Sequence, residues 1–336
     1  MGNTGKVKAI GEKKNIRHKL SEVVPLSSPY VIFLDPCGCC NFRCSFCPVN
    51  TVTENSEIRH TIMSMELFDK IIEDIKKFPE PVKVVELYAF GEPLLNKHIV
   101  KMVKRLKGCG KVERVRMTTN ASLLTKEMGQ ALVDAGLDYM KISLESLHEE
   151  DYINNCGYEI NLYELTDNIR FMHEYAFSKA KGGRRTEIGV KIFSNVLRDR
   201  DKESFLEKYT PISDYAWIET AYNLWSEFDS YKSPNDCEKE DSFTDRFAGK
   251  DICSFPFTHM LICSNGDIGL CCYDWNHKTV YANAEDISIA EAWNSEMLRD
   301  IRIKILDKEL PFCRDCCNRG YDDIDKDAEV IKSRLQ

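Results

Sequence analysis

No apolar run in the 336 residues approaches the ~18 needed to cross a bilayer, so no membrane-spanning helix is expected. The basic opening stretch, MGNTGKVKAIGEKKNIRHKL, lacks a following hydrophobic segment, which argues against a secretory signal and for an exposed arm. Surplus positive charge is missing too. Lys and Arg number 46 against 54 Asp and Glu, a formal net charge of −8, a poor match for nucleic acid or an anionic membrane. There is no internal repeat and no low-complexity tract. These absences leave a globular cytoplasmic protein, long enough that a second lobe is expected beside the first core. What the chain has in excess is cysteine. It carries 15, too many for an ordinary cytosolic enzyme, and in a reducing compartment clustered thiols point to metal rather than disulfides.

A pass along the chain finds β-α alternation. Strands are expected at YVIFLD (30–35), KVVELY (83–88), ERVRMT (113–118), DYMKISL (138–144), TEIGVKIF (186–193) and DYAWIET (214–220). Between them, SMELFDKIIEDIKKF (64–78) carries Phe68, Ile71, Ile72 and Ile75 at helical spacing behind a Ser64 cap. NKHIVKMVKRLKG reads as a second helix, and a third runs from Thr125 to Gly136, a suitable C-cap. Further helices fall around 160–176 and 200–208. Six such alternations imply an α/β fold with a parallel sheet, doubly wound or curled as a partial barrel, with its site at the C-terminal strand ends. An N-terminal arm (1–29) precedes the barrel (30–222), and residues 223–250 read as a polar connector. Residues 251–320 form a small cysteine-rich domain with a hairpin turn at SNGD (264–267), and 321–336 a helix or tail.

Five cysteines fall within CGCCNFRCSFCP, residues 37–48, at the end of the first strand. Cys40, Cys44 and Cys47 follow C-x3-C-x2-C, a spacing that suits an iron–sulfur cluster; three protein ligands leave one iron of a four-iron cluster open. Zinc and a redox dithiol are the competing readings. Zinc needs a fourth ligand, and none stands at the usual spacing. Cys37 and Cys39 are read as loop packing, and Cys109, Cys156, Cys237 and Cys263 as structural thiols. His60, His98, His148 and His173 are read as surface residues.

The segment CNFRCSFCP closely resembles the signature of the radical S-adenosylmethionine (SAM) superfamily. YAFGEPLL resembles that family's glycine–glutamate–proline segment, MTTNA its next strand end, and KISLES its serine-bearing fourth strand, over roughly residues 30–220. The resemblance implies a partial (β/α)6 TIM-like barrel and a SAM-binding [4Fe–4S] cluster on Cys40, Cys44 and Cys47. It further implies SAM contacts at Phe46, Gly91, Glu92, Asn120 and Ser143, and a flavodoxin- or ferredoxin-type electron donor. Two departures stand out. Phe90 replaces a glycine frequent in relatives, and NNCG (154–157) occupies the place of an arginine that often holds the SAM carboxylate; Lys141 or Lys191 is the expected substitute.

Farther on, Cys253, then Gly266-x4-Cys271, then Cys313 and Cys316 resemble the SPASM/twitch auxiliary-cluster region, with ISIAEAWNSEMLRDIR as its helix. The resemblance implies one auxiliary [4Fe–4S] cluster on these four cysteines. A four-cysteine zinc ribbon is the alternative, and Cys272 and Cys317 are alternative ligands because adjacent thiols are not ranked by sequence. The resemblance, in its short build with one auxiliary cluster, implies hydrogen abstraction from a C–H bond of a small-molecule substrate, a sugar, aminocyclitol or similar polyol, ending in oxidation or epimerisation. Maturation of a ribosomal peptide is the alternative; about thirty residues before the first strand are too few for a peptide-recognition domain. A non-catalytic iron–sulfur carrier would leave the SAM landmarks idle. Cys272 is the candidate hydrogen donor for epimerisation. A free cysteine is more often a buried small hydrophobe, so packing inside the small domain, and hence oxidation, is the expectation.

Overall fold

The computed structural model describes residues 18–47, 61–180, 182–219, 250–316 and 320–336. Most of the expected arm, the connector apart from Lys250, and His60, Cys237 and Cys317 lie outside the described residues. In chain order the barrel elements are α1 (Leu20–Val23), β1 (Val31–Leu34), α2 (Met65–Lys77), β2 (Val82–Leu87), α3 (Ile99–Gly108), β3 (Val112–Thr119), α4 (Lys126–Asp134) and β4 (Tyr139–Leu144). They continue with α5 (Glu149–Cys156), α6 (Leu162–Ser178), β5 (Glu187–Phe193), α7 (Asp201–Tyr209) and β6 (Tyr215–Glu219).

Period-two alternation decides which side chains face the barrel interior. Along β3, Val115, Met117 and Thr119 are buried, while Arg114, Arg116 and Thr118 point the other way. Along β4, Met140, Ile142 and Leu144 join the main core, leaving Tyr139, Lys141 and Ser143 on the concave side. The helices complete that core. Phe68, Ile71, Ile72 and Ile75 form the buried stripe of α2, and the Ser64 hydroxyl caps it by accepting from the Leu67 amide at 3.1 Å. Thr125 caps α4 in the same way, and Gly136, at φ 92°, carries the chain out of it.

The sheet runs β6-β5-β4-β3-β2-β1-β7-β8-β9 and does not close, so the barrel is partial. All pairings from β6 to β1 are parallel. The C-terminal segment, expected as a small cysteine-rich domain, continues this sheet. Its first strand, β7 (His259–Ile262), pairs parallel with β1 from Val31↔His259 to Leu34↔Ile262. An uncovered β1 would present a row of unpaired amides and carbonyls, and β7, buried along its whole length, satisfies them. The hairpin at Cys263–Gly266 leads into antiparallel β8 (Asp267–Gly269), and β9 (Ala282–Asn283) ends the sheet. The expected single helix after it is two, α8 (Ile289–Trp293) and α9 (Glu296–Leu306), because Ser295 caps the second by accepting from Leu298 at 3.2 Å. Short α10 (Pro311–Asp315) and α11 (Ala328–Leu335) complete the chain.

Side chains weld this segment to the barrel. Trp293 donates from Nε1 to the Leu26 carbonyl at 2.8 Å, and Arg302 lies 4.2 Å over the same indole. Asp74 of α2, buried at 2% exposure, accepts from the Ile289 amide at 3.1 Å and from Lys77 at 2.6 Å. Replacing Asp74 with Ala orphans a buried amide and is expected to cost about 1–3 kcal/mol in urea denaturation. Lys77→Ala, which removes only the exposed partner, is expected to cost under about 1 kcal/mol.

Candidate active site

The loop after β1 carries the first cysteine set. Two main-chain bonds clamp it to the end of α5, from Arg43 N–H to the Cys156 carbonyl at 2.6 Å and from Ser45 N–H to Asn155 at 2.9 Å. The Phe42 ring anchors it between Tyr152 and Tyr158, with centroids at 5.9 and 4.9 Å. Cys40 and Cys47 are half-buried and Cys44 is buried. Burial pushes the Cys40 thiol up to about 12, with the nearby Cys47 adding to the rise. A hydrogen bond to the Cys156 thiol, then burial, drive Cys44 still higher, and Cys47 contributes there too. Cys40 and Cys44, held neutral by their surroundings, stand near Cys47 with no imidazole or carboxylate in their spacing, and the three fit a cationic cluster that would stabilise the thiolates. Cys37 is fully buried and donates to the Cys39 carbonyl at 3.3 Å, which makes it part of the loop's own packing.

The segment Ala89–Pro93 lies directly against that loop. A Cβ on Gly91 would meet the carbonyl oxygens of Cys37 and Cys39 at 2.2 Å, so only glycine allows the approach. The Glu92 amide then donates to the Cys39 carbonyl at 2.8 Å. Beneath both segments sits Asp35, 1% exposed, whose carboxylate no donor meets in hydrogen-bonding geometry. Burial raises it to about 7, and the amides of Phe90, Gly91, Cys37 and Ala89, which face it, pull the other way. Sequence reading missed Asp35; its partners come from two distant loops.

Glu92, expected to meet SAM, is bound mainly to the protein itself. Its Oε1 accepts from the Thr119 hydroxyl at 2.6 Å and the Leu94 amide at 2.9 Å, and its Oε2 from the Asn120 amide at 2.8 Å. Burial nonetheless raises it to about 7. Its role in the structure is to tie the second and third strand ends together, with Thr119 as an unforeseen member. Asn120 points its amide at the Cys40 sulfur, 3.9 Å away, and donates to the Asn41 side chain at 3.1 Å. Phe46 packs edge-on against Phe193. Ser143 stands half-buried on β4, opposite Lys191 of β5.

The second set closes on its own cavity. Cys253, Cys271, Cys313 and Cys316 line it together, with Phe255, Leu270 and Tyr273 among the walls. Burial raises the Cys313 thiol strongly, with Cys253, Cys271 and Cys316 adding to the shift. The Tyr273 amide already donates to the Cys271 sulfur at 3.2 Å. Among the described residues, no three His, Cys, Asp or Glu side chains converge on one metal ion; the four thiols surround a volume. Four thiols around an apolar cavity fit a cluster of the [4Fe–4S] kind, with Cys271 rather than Cys272 on the cavity wall.

Cys272 belongs to a separate packed cluster, built on buried Phe33, Phe90, Leu261 and Cys263, against which Tyr88, Trp275 and Cys47 of the first set also pack. Phe33 belongs to the concave side of β1, since Ile32 and Leu34 belong to the main core. Cys272 therefore packs where the barrel residues Phe33 and Phe90 meet Leu261 and Cys263 of the C-terminal segment. Rings bridge the two regions: Phe255 lies 4.4 Å from His259, His259 5.6 Å from Phe33, and Phe33 5.7 Å from Tyr88. Burial depresses His259 to about 3, so it is neutral.

Ion pairs cover most of the concave face. Arg114 pairs with Glu187 at 3.1 Å, Arg116 with Glu86 at 3.1 Å, and Lys191 with Glu219 at 2.9 Å. Lys141 has no carboxylate within 4 Å among the described residues and lies 5.4 Å from the Tyr88 ring centroid. Burial, then the neighbouring Lys191, lowers it to about 8. Glu145, at the end of β4 near Cys40 and Cys44, has one oxygen unpartnered and is raised by burial to about 7. Two histidines expected at the surface are engaged instead. His148 meets Asp201 at 3.0 Å, and His173 is largely covered, 3.8 Å from Asp214.

Residues 35–207 match the radical SAM superfamily, and residues 253–317 match SPASM, an iron–sulfur cluster-binding domain. A GTP 3′,8-cyclase from Nostoc sp. is 32% identical over 146 residues, 42% of this chain and 43% of that protein. The match thus spans less than half of that relative. Among solved structures, BtrN in complex with AdoMet and 2-DOIA superposes with a TM-score of 0.55 at 16% identity, covering 87% of this chain and 94% of that one. SuiB of Streptococcus suis, bound to its precursor peptide SuiA, gives 0.52 at 17% identity over 83% and 67%. At these identities the likeness is one of fold.

Two measurements test the site. Anaerobically reconstituted protein should hold about eight irons, and the triple variant lacking Cys40, Cys44 and Cys47 about four. Separately, Lys141→Met should raise the unfolding free energy at pH 7 by about 1–3 kcal/mol, since it removes a charge held in a low-dielectric interior. The folded amine titrates near 8 and the unfolded one near 10.5, so the folded protein binds fewer protons in that window. Wild-type stability therefore gains on the variant as pH rises through it, and the gap should close by pH 10.5.

Proposed function

Because the chain belongs to the radical SAM superfamily and carries a SPASM domain, we propose that it inverts a carbon centre of a sugar, aminocyclitol or similar polyol. Bound at its cluster, SAM supplies the 5′-deoxyadenosyl radical that takes a hydrogen atom from that carbon. The packing of Cys272 carries this reading. Cys272 and Cys47 pack against the same cluster, with barrel residues Phe33 and Phe90, which supports a place for the Cys272 S–H near the first cysteine set. The substrate radical takes hydrogen from Cys272 on the face opposite to abstraction, forming C–H and leaving a thiyl. One electron from a flavodoxin- or ferredoxin-type donor and one proton from solvent restore the thiol. The SAM cleavage consumes a first electron from the same donor, so the substrate itself is neither oxidised nor reduced.

The charge pattern supports a polar ring over a nucleoside triphosphate. Arg114, Arg116 and Lys191 are already paired, so a triphosphate would add several negative charges against Lys141, which has no carboxylate within 4 Å among the described residues. Lys141 and the Tyr88 hydroxyl are suited to hydroxyl or single-anion recognition. BtrN, crystallised with AdoMet and 2-DOIA, supports a small substrate on this fold. SuiB, crystallised with a peptide, supports the alternative of a peptide substrate.

Turnover in deuterated water separates these outcomes. The proposal predicts a product of unchanged oxidation level with one deuterium at the inverted carbon. Cys272→Ala should still cleave SAM but give no epimer, with turnover reduced at least 100-fold, about 2.7 kcal/mol. A product two hydrogens lighter would show oxidation instead, and labelling confined to an added peptide would favour the maturase reading.

A further inference from the structure

We propose that Lys141 is the anion contact of the substrate, so that the polyol taken by this site carries a carboxylate or phosphate group which the Lys141 ammonium binds inside the barrel. The inference rests on the polyol reading above and narrows it. Lys141 stands on the concave side of β4, flanked by Thr118 of β3 and Gly189 of β5. On the β5 side it therefore has no side chain beside it, and a Cβ at Gly189 would run into the Tyr139 hydroxyl and the Trp217 ring. Its Nζ lies 5.4 Å from the centroid of Tyr88, the last ring of the series that starts at Phe255 on the auxiliary cavity wall. Tyr88 in turn packs against the cluster that Cys47 and Cys272 also pack against. By way of Tyr88, Lys141 adjoins the packing that joins the two cysteine sets.

The charged groups that act on Lys141 are Lys191, Glu86, Glu219 and Arg116. They already form two ion pairs, Arg116 with Glu86 at 3.1 Å and Lys191 with Glu219 at 2.9 Å. Among the described residues neither of those carboxylates, nor any other, comes within 4 Å of the Lys141 ammonium. Holding a cation in such a place without a partner is costly, and a side chain kept against the interest of the fold is one that a ligand completes. One anionic group completes it, whereas a neutral ring leaves the ammonium unpaired. SAM carries a carboxylate of its own, but the expected SAM contact on this strand, Ser143, stands one pleat nearer the C-terminal end.

The test is calorimetric titration of anaerobically reconstituted, SAM-loaded protein at fixed pH and ionic strength. Glucuronate and inositol monophosphate should bind at least roughly tenfold more tightly than glucose and inositol. Lys141→Met should abolish that preference while SAM affinity holds. Anionic sugars that bind no more tightly than their neutral parents overturn the proposal and leave the polyol reading standing. So does a preference that survives in Lys141→Met. A Lys141→Met variant that loses SAM affinity instead assigns the ammonium to the SAM carboxylate, which also overturns the proposal. Glycyl-glutamate binding as tightly as the sugar anions would keep Lys141 as an anion contact and overturn the polyol reading beneath it. If no sugar of either kind binds, both readings fall.

Discussion

The active end of this barrel depends on a main-chain contact too close for any side chain. Gly91 rests on the carbonyls of Cys37 and Cys39, and the buried Asp35 carboxylate lies under both segments with amides from each directed at it. The cysteine loop and the glycine–glutamate–proline segment therefore behave as one body. Glu92 extends that body to the third strand through Thr119 and Asn120, and Asn120 in turn reaches the Cys40 sulfur. A small displacement at Asp35 would be felt at every one of these points, because close-packed interiors transmit strain rather than absorb it.

Electrostatics gives the two cysteine sets the same character by different means. Both hold thiols in places where a bare thiolate is costly: Cys40 and Cys44 beside carboxylate Glu145, Cys313 among three other sulfurs. Between them, on the concave face, Arg114, Arg116 and Lys191 pair with carboxylates, while Lys141 has none within 4 Å among the described residues.

Much of this was legible in the sequence because it is local. The strands appear within a residue or two of their expected spans, Ser64 and Thr125 cap the expected helices, and the four auxiliary cysteines line one cavity. What was not legible depends on contacts between distant segments. No periodicity reports that His259–Ile262 pairs with β1, that Asp35 faces Phe90 and Gly91, or that the Arg43 amide bonds to the Cys156 carbonyl. The place of Cys272 was hidden for the same reason, since the barrel residues of its cluster, Phe33 and Phe90, lie far away in the sequence.

The pairing of β7 with β1 has a consequence for modularity. The chain reads as two cluster-binding regions in series, matched separately at residues 35–207 and 253–317. Physically the later region supplies a strand to the earlier one, and Trp293 and Asp74 lock the join. A truncated barrel would expose the hydrogen-bonding edge of its own first strand, the one that leads into the cysteine loop, and an exposed edge recruits other chains. The two regions are thus separable as text but share one sheet, and exchanging the second for a foreign version requires a matching strand as well as matching cysteines.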